Sequence, residues 1–113
     1  MSDTIFSKII SREIPADIVY EDEECLAFRD INPQAPMHIL IIPKKPIARL
    51  ADAAADDQQM LGHLMLKASE IAEQQGYGDA FRLVVNNGSG AGQAVFHLHL
   101  HILGGRPLSW PPG

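Results

Sequence analysis

The chain is short of most features that mark secreted, membrane or polynucleotide-binding proteins. Its 113 residues include one cysteine, Cys25, which excludes an internal disulfide framework and a cysteine-based zinc ribbon. Aromatic residues make up 6%, with Trp110 the single tryptophan. Basic residues number 9 against 14 acidic ones, giving a formal net charge of −5. A protein that tracks phosphate backbones carries a basic face, so a nucleic-acid polymer is not the expected ligand. The longest aliphatic run, Ile39-Leu40-Ile41-Ile42, is a strand's length, so no membrane segment is expected. Met1 to Phe6 offers neither a basic n-region nor an apolar h-region, so a cytoplasmic protein without a secretory signal is expected. No repeat, low-complexity tract or linker breaks the chain, and its length suits one domain over residues 1–113.

What is present is ordinary globular composition, 46% apolar and 20% charged. Asp3 is a plausible N-cap for a short helix bearing Ile5, Phe6, Ile9 and Ile10, ended by Ile14-Pro15. Ile18 to Tyr20 and Cys25 to Asp30 read as an antiparallel hairpin around the acidic turn Glu21 to Glu24. His38 to Ile42 is a buried strand closed by Pro43. A long helix starts near Asp56-Asp57, carries Met60, Leu61, Leu64, Ala68, Ile71 and Ala72 on one face, and stops at Gly76. Phe81 to Val85 and Val95 to Leu103 are the remaining strands, joined by the polar loop Asn86 to Gln93. Hairpins with one long intervening helix give an α+β fold rather than a parallel doubly wound sheet. The apolar surface of the long helix, including Met65, exceeds what one sheet needs, which predicts a two-fold dimer on this helix and the Phe81 to Val85 edge.

The chemistry lies in Phe96-His97-Leu98-His99-Leu100-His101-Ile102. Period-two alternation puts the three imidazoles on one strand face and the four apolar residues on the other. A lone histidine such as His63 is ordinarily structural, whereas three on one strand face mark a site. Two such imidazoles can share a metal, and a third would complete a catalytic zinc site, with Asp30 and His38 available from elsewhere. Three successive same-face residues span about 13 Å, however, which disfavours convergence on one ion. The other use is nucleophilic: a neutral imidazole with one nitrogen donating to a backbone carbonyl presents the other's lone pair outward. His99 is central and suits that role. The glycine-rich loop Asn86-Asn87-Gly88-Ser89-Gly90-Ala91-Gly92-Gln93-Ala94 leads into the histidines, and its N–H groups could form an anion-binding nest.

Gly92-Gln93-Ala94-Val95-Phe96-His97-Leu98-His99-Leu100-His101 resembles the signature of the histidine-triad (HIT) superfamily. Ile102 to Arg106, the Trp110-Pro111-Pro112-Gly113 tail, Asp3 to Phe6, Leu26 to Asp30, Pro33 to Pro36 and Ile42 to Lys45 are similar to its Hint branch, the histidine-triad nucleotide-binding proteins. The resemblance covers nearly the whole chain. It implies a HIT-like α+β fold: a five-stranded antiparallel sheet with one long and one short helix, two protomers joining as a homodimer. It also implies a purine nucleoside monophosphate ligand, hydrolysis of purine nucleoside phosphoramidates, and no metal or other cofactor.

Carried onto these residues, the resemblance makes His99 the nucleophile, its other nitrogen held by the His97 carbonyl. His101 contacts the phosphate, and His97 and His38 extend the histidine network. Asp30 becomes the ribose carboxylate, beside Ile31. Ile5, Phe6, Ile9, Phe28 and Leu40 form the apolar slot for the base. Gly92, Asn86 and Gln93 lie about the phosphate. Ala94 stands where a serine hydroxyl is usual, and Arg29 stands where a histidine often lines the base pocket. The rival readings are a dinucleoside-polyphosphate hydrolase of the Fhit branch and a non-catalytic purine-nucleotide-binding regulator. The Gly104-Gly105-Arg106 run and the tail speak against the Fhit branch.

Overall fold

The computed structural model describes residues 3–113; Met1 and Ser2, part of the stretch read for a leader, lie outside them. The first helix, α1 (Ile5–Ile10), is capped by Thr4, not Asp3. Thr4 Oγ1 accepts the Ser7 N–H at 3.1 Å, and Ser7 Oγ accepts the Thr4 N–H at 2.9 Å. This reciprocal box needs a hydroxyl three residues before its partner, and Asp3 sits one position too early. Phe6 and Ile9 are the buried side chains of this helix.

β1 (Ile18–Glu21) and β2 (Cys25–Arg29) form the expected hairpin. Its turn is shaped by Asp22, whose Oδ1 accepts the N–H groups of Glu24 and Cys25, both at 2.8 Å. β3 (Met37–Pro43) is buried along its whole length. A 3₁₀ turn at Ala55–Asp57 precedes α2 (Gln58–Gln74), and Asp57 Oδ2 accepts the Ala54 N–H at 2.9 Å. Gly76 ends the helix at φ 92°, a conformation that only glycine adopts readily. β4 (Phe81–Val84) and β5 (Leu100–Gly104) complete one antiparallel sheet in the order β1-β2-β3-β5-β4. Among the described residues, no helix is long and apolar enough to cross a membrane.

Strand alternation divides the apolar residues between two faces. Cys25, Ala27, Met37, Ile39, Ile41, Leu98, Leu100 and Ile102 pack under α2 with Leu64, Ala68, Ile71 and Ala72. Leu26, Phe28, Leu40 and Ile42 face the opposite way, under Phe6 and Ile9 of α1. Each fully buried aliphatic side chain contributes roughly 1.5–3 kcal/mol, so the α2 face supplies most of the core. The thinner α1 layer leaves part of its face open, and the site lies there.

The last strand is shorter than the sequence reading. It starts at Leu100, not Val95, and β4 ends at Val84. The ladder with β3 stops at the pair Ile41–Leu100. Beyond it, Leu98 donates its N–H to the Ile47 carbonyl at 2.7 Å, outside the ladder. The chain between Val95 and His99 is therefore held by contacts to the segment after β3. Phe96, expected on the buried face, is 44% exposed for this reason.

Candidate functional site

Only His101 of the three clustered histidines lies on a paired strand, opposite Leu40. The period-two choice of side persists nonetheless. Phe6 meets the His97 and His99 rings edge-on, at centroid separations of 6.3 and 5.0 Å. His99 and His101 lie 5.1 Å apart, and His101 and His38 5.2 Å apart. His38 comes from β3 two residues from Leu40, so it neighbours His101 diagonally across the pair.

Burial holds all four imidazoles below the ordinary histidine pKa. His101 falls furthest, to about 4, because burial is reinforced by the neighbouring His99 and His38, with Asp30 opposing. His99 and His97 are lowered by burial against the pull of their backbone hydrogen bonds, and His38 by burial against Asp30. At neutral pH the rings are uncharged, so each carries one N–H.

Backbone partners then fix where each proton sits. The His97 carbonyl can only accept, so at 2.8 Å it takes the Nδ1–H of His99 and leaves the Nε2 lone pair unprotonated. The Gln34 N–H can only donate, and it meets His38 Nδ1 at 3.0 Å. The proton of His38 is therefore on Nε2, 2.9 Å from His101 Nδ1, which accepts it. His101 in turn carries its proton on Nε2. His97 donates Nε2–H to the Pro43 carbonyl at 2.7 Å. The cluster thus presents a nucleophilic nitrogen on His99 beside an N–H donor on His101, with no base needed to prepare either.

Next to the histidines, a cleft of about 280 Å³ opens on the α1 side of the sheet. It is lined by Ile5, Phe6, Ile9, Phe28, Leu40, Asp30 and Ile31, which the sequence nominated, and by Ile14, Pro15, Ala16 and Val95, which it did not. Ile14-Pro15 reads in sequence only as a helix stop, so nothing local signals its place in a cleft wall. Asp30 stands at the edge, its Oδ1 accepting the Asn32 N–H at 2.8 Å and its Oδ2 3.5 Å from His38 Nε2. Ile31 is 97% exposed at the rim.

Arg29 also lines the cleft, though its charged end points elsewhere. Its guanidinium lies on the α2 side, with Nη2 donating to Gln75 Oε1 at 3.1 Å and Nε 3.2 Å from Asp17. One step along a strand from Phe28 reverses the face, so the guanidinium points away from the cleft.

Gln93 is tied into the loop itself. Expected as a phosphate contact, its side chain is 4% exposed. Its Oε1 accepts the Gly88 N–H at 2.8 Å, and its Nε2 donates to the carbonyls of Ala48 at 2.7 Å and Val95 at 3.0 Å. Both N–H donors and one acceptor site of Oε1 go to holding the loop. The expected nest is also reduced, because Ala91, Gly92 and Gln93 donate their N–H groups within the loop, to Gly88, Ser89 and Gly88 carbonyls. Gly88 and Gly92 take φ 90° and 95°, which this tight winding requires. The Asn86 side chain lies against Gly92, and Asn87 Oδ1 accepts the Ala51 N–H at 2.8 Å, a tie the sequence did not disclose. Ala94 is exposed at the loop's exit.

Two sets of donors among the described residues lie close enough to share a metal: Asp30, His38 and His101, and Asp22, Cys25 and His63. In the first set the facing nitrogens of His38 and His101 are already joined through a proton. An ion there would displace the hydrogen bond that sets the His101 tautomer.

The profile of the HIT domain matches residues 11–108. A HIT-like protein of Synechocystis sp. is 69% identical over 111 residues, 98% of this chain and 97% of its own. The 14 kDa zinc-binding protein of Zea mays is 54% identical over 114 residues, covering 99% of this chain and 89% of that one. Among solved structures, a HIT family hydrolase of Legionella pneumophila superposes with a TM-score of 0.96 at 51% identity, over 98% of this chain and 100% of that one. A HIT family hydrolase of Clostridium thermocellum gives 0.92 at 44% identity, over 96% of each. Sequence match and superposition both run through the histidine cluster and the sheet that carries it, and on that basis the chain belongs to the HIT domain family, as a hydrolase-like member.

Proposed function

We propose that the protein is a purine nucleoside phosphoramidase of the Hint type. The observation that carries this reading is the His99 ring, locked by the His97 carbonyl with Nε2 unprotonated beside the His101 N–H. The adjoining apolar cleft supports a planar base between Phe6, Phe28, Ile9 and Leu40, and Asp30 at its edge suits ribose hydroxyls. A nucleoside phosphoramidate placed there brings its phosphorus to His99 and its oxygens toward His101 and the Ala94 N–H.

His99 Nε2 attacks phosphorus, the P–N bond breaks, and the amine leaves with a proton taken up from solvent. The nucleotidyl-histidine is neutralised in charge by the ring's new cationic form, which the His97 carbonyl stabilises. Water then attacks phosphorus, the P–N bond to His99 breaks, and the nucleoside monophosphate, the original imidazole and one proton to solvent are released. His101, with its proton on Nε2, donates to the phosphoryl oxygens as negative charge builds on them. The whole sequence runs on side chains, without a cofactor. Met65 and Leu66 on the outer side of α2 are 57% and 68% exposed, and β4 ends the sheet with an open edge; these support a homodimer, which sedimentation at micromolar protein would show as a doubled mass.

The test is turnover of an adenosine phosphoramidate beside a diadenosine polyphosphate, in wild type and in His99→Ala. Phosphoramidate turnover several orders of magnitude above that of the variant is expected, with AMP binding retained in both. Preference for the polyphosphate would move the protein to the Fhit type. Near-normal turnover in His99→Ala would end the covalent mechanism.

A further inference from the structure

On the opposite side of the sheet from the histidine cluster, the hairpin turn and α2 bring together Asp22, Cys25 and His63. Their donor atoms all lie within 4.8 Å of one another. We propose that these three side chains form a second, separate site for a zinc ion, which fastens the β1–β2 turn to α2 and leaves its fourth position to water.

The donor set suits this ion. Zinc accepts thiolate, imidazole and carboxylate together, at about 2.3, 2.0 and 2.1 Å, in a tetrahedral arrangement whose donors sit about 3.3–3.7 Å apart. Reaching it from the present positions takes side-chain adjustments of about 1 Å. His63 Nε2 and Asp22 Oδ2 now lie 2.7 Å apart with a proton between them, and the ion replaces that proton. The displaced proton moves to Nδ1, so His63 holds the ion through Nε2 as a neutral imidazole. The Cys25 thiol releases its own to solvent, so one proton leaves for each ion bound.

The surroundings are already those of an oriented ligand. Asp22 Oδ1 stays fixed by the Glu24 and Cys25 N–H groups, and Oδ2 keeps the Tyr20 hydroxyl at 2.7 Å. With zinc in place of the His63 proton, no oxygen of the carboxylate loses a partner, which is the outer support metal ligands ordinarily have. Cys25 is fully buried beneath the site, while the Asp22 and His63 side chains are about a quarter exposed, which gives the ion a way in. Glu23 and Glu24 follow Asp22 in the turn and add negative potential; Glu21 is paired with Arg12 and Lys44, and Lys67 over the Tyr20 ring opposes the ion from α2.

The experiment titrates the full-length metal-free protein with zinc by calorimetry, and with cobalt(II) as a spectroscopic stand-in. One ion per chain and a thiolate-to-cobalt charge-transfer band are expected. His63→Asn, on the solvent side of α2, and Cys25→Ser should each weaken binding at least about 100-fold and abolish the band. His38→Phe, in the other donor set, should leave both unchanged. Circular dichroism of His63→Asn checks that its fold is intact, so the result does not depend on the core substitution. The proposal is overturned if wild type takes up no zinc at micromolar metal, if cobalt binds without the thiolate band, or if His38→Phe loses the ion while His63→Asn keeps it.

Discussion

Replacing Gln93 by alanine separates two roles that the sequence alone cannot distinguish. In the folded chain its amide makes three hydrogen bonds, at 2.8, 2.7 and 3.0 Å, from a side chain 4% exposed. Truncation leaves the Gly88 N–H and the Ala48 and Val95 carbonyls without their partner. At about 1 kcal/mol net for each bond, the loss is about 3 kcal/mol before any cavity term. For a chain of this size 1 kcal/mol moves Tm by about 4 °C, so Gln93→Ala should melt about 12 °C lower. Gln93→Glu preserves volume but sets a carboxylate oxygen against two carbonyls, and should lose at least as much. Thermal unfolding by circular dichroism reads the first effect. Steady-state turnover of an adenosine phosphoramidate reads the second, expected as a fall in kcat because the loop no longer places Val95 to His99. If Tm drops by less than about 3 °C while KM rises and kcat holds, Gln93 is a phosphate contact and the positioning argument is wrong.

Further outcomes follow from the same geometry. Ala94→Ser restores a hydroxyl beside the leaving amine; one neutral hydrogen bond is worth about 0.5–1.5 kcal/mol, so single-turnover rates for alkylamine phosphoramidates should rise by less than about twentyfold. Aryl amines, which need less help to depart, should gain less, and an equal gain on both would refute the leaving-group argument. His38→Phe keeps an aromatic ring, slightly larger, but releases the His101 tautomer, and should slow turnover roughly 2- to 13-fold with little change in nucleotide affinity; an unchanged rate would show the relay to be idle. Stability should decline as pH falls from the ordinary histidine value of 6.5 toward the value of about 4 for His101, because the unfolded chain takes up protons that the folded imidazoles refuse. His101 alone accounts for up to about 3 kcal/mol of this, and urea midpoints at pH 7, 5.5 and 4.5 measure it. A flat profile over that window would mean the rings are not held neutral.

The sequence by itself determined the α+β class, the hairpin, the buried central strand and the long helix, because each is written in local periodicity and punctuation. It also determined that the histidines share a side, since alternation survives even where the strand does not: Leu98, Leu100 and Ile102 go under α2, and Phe6 packs on His97 and His99. Tertiary structure decided everything that depends on long-range partners. β5 stops short because Leu98 bonds to Ile47, and Phe96 is exposed as a result. Arg29 turns to Asp17 and Gln75, distant in sequence and invisible to any local pattern. Gln93 becomes a clamp because three backbone groups, one from the segment after β3, converge on it. The protonation of the site was likewise out of reach of the sequence. Which nitrogen of His38 and His99 carries the proton is set by backbone groups that can only donate or only accept, and His101 follows from His38; only the fold brings these partners within about 3 Å of the rings.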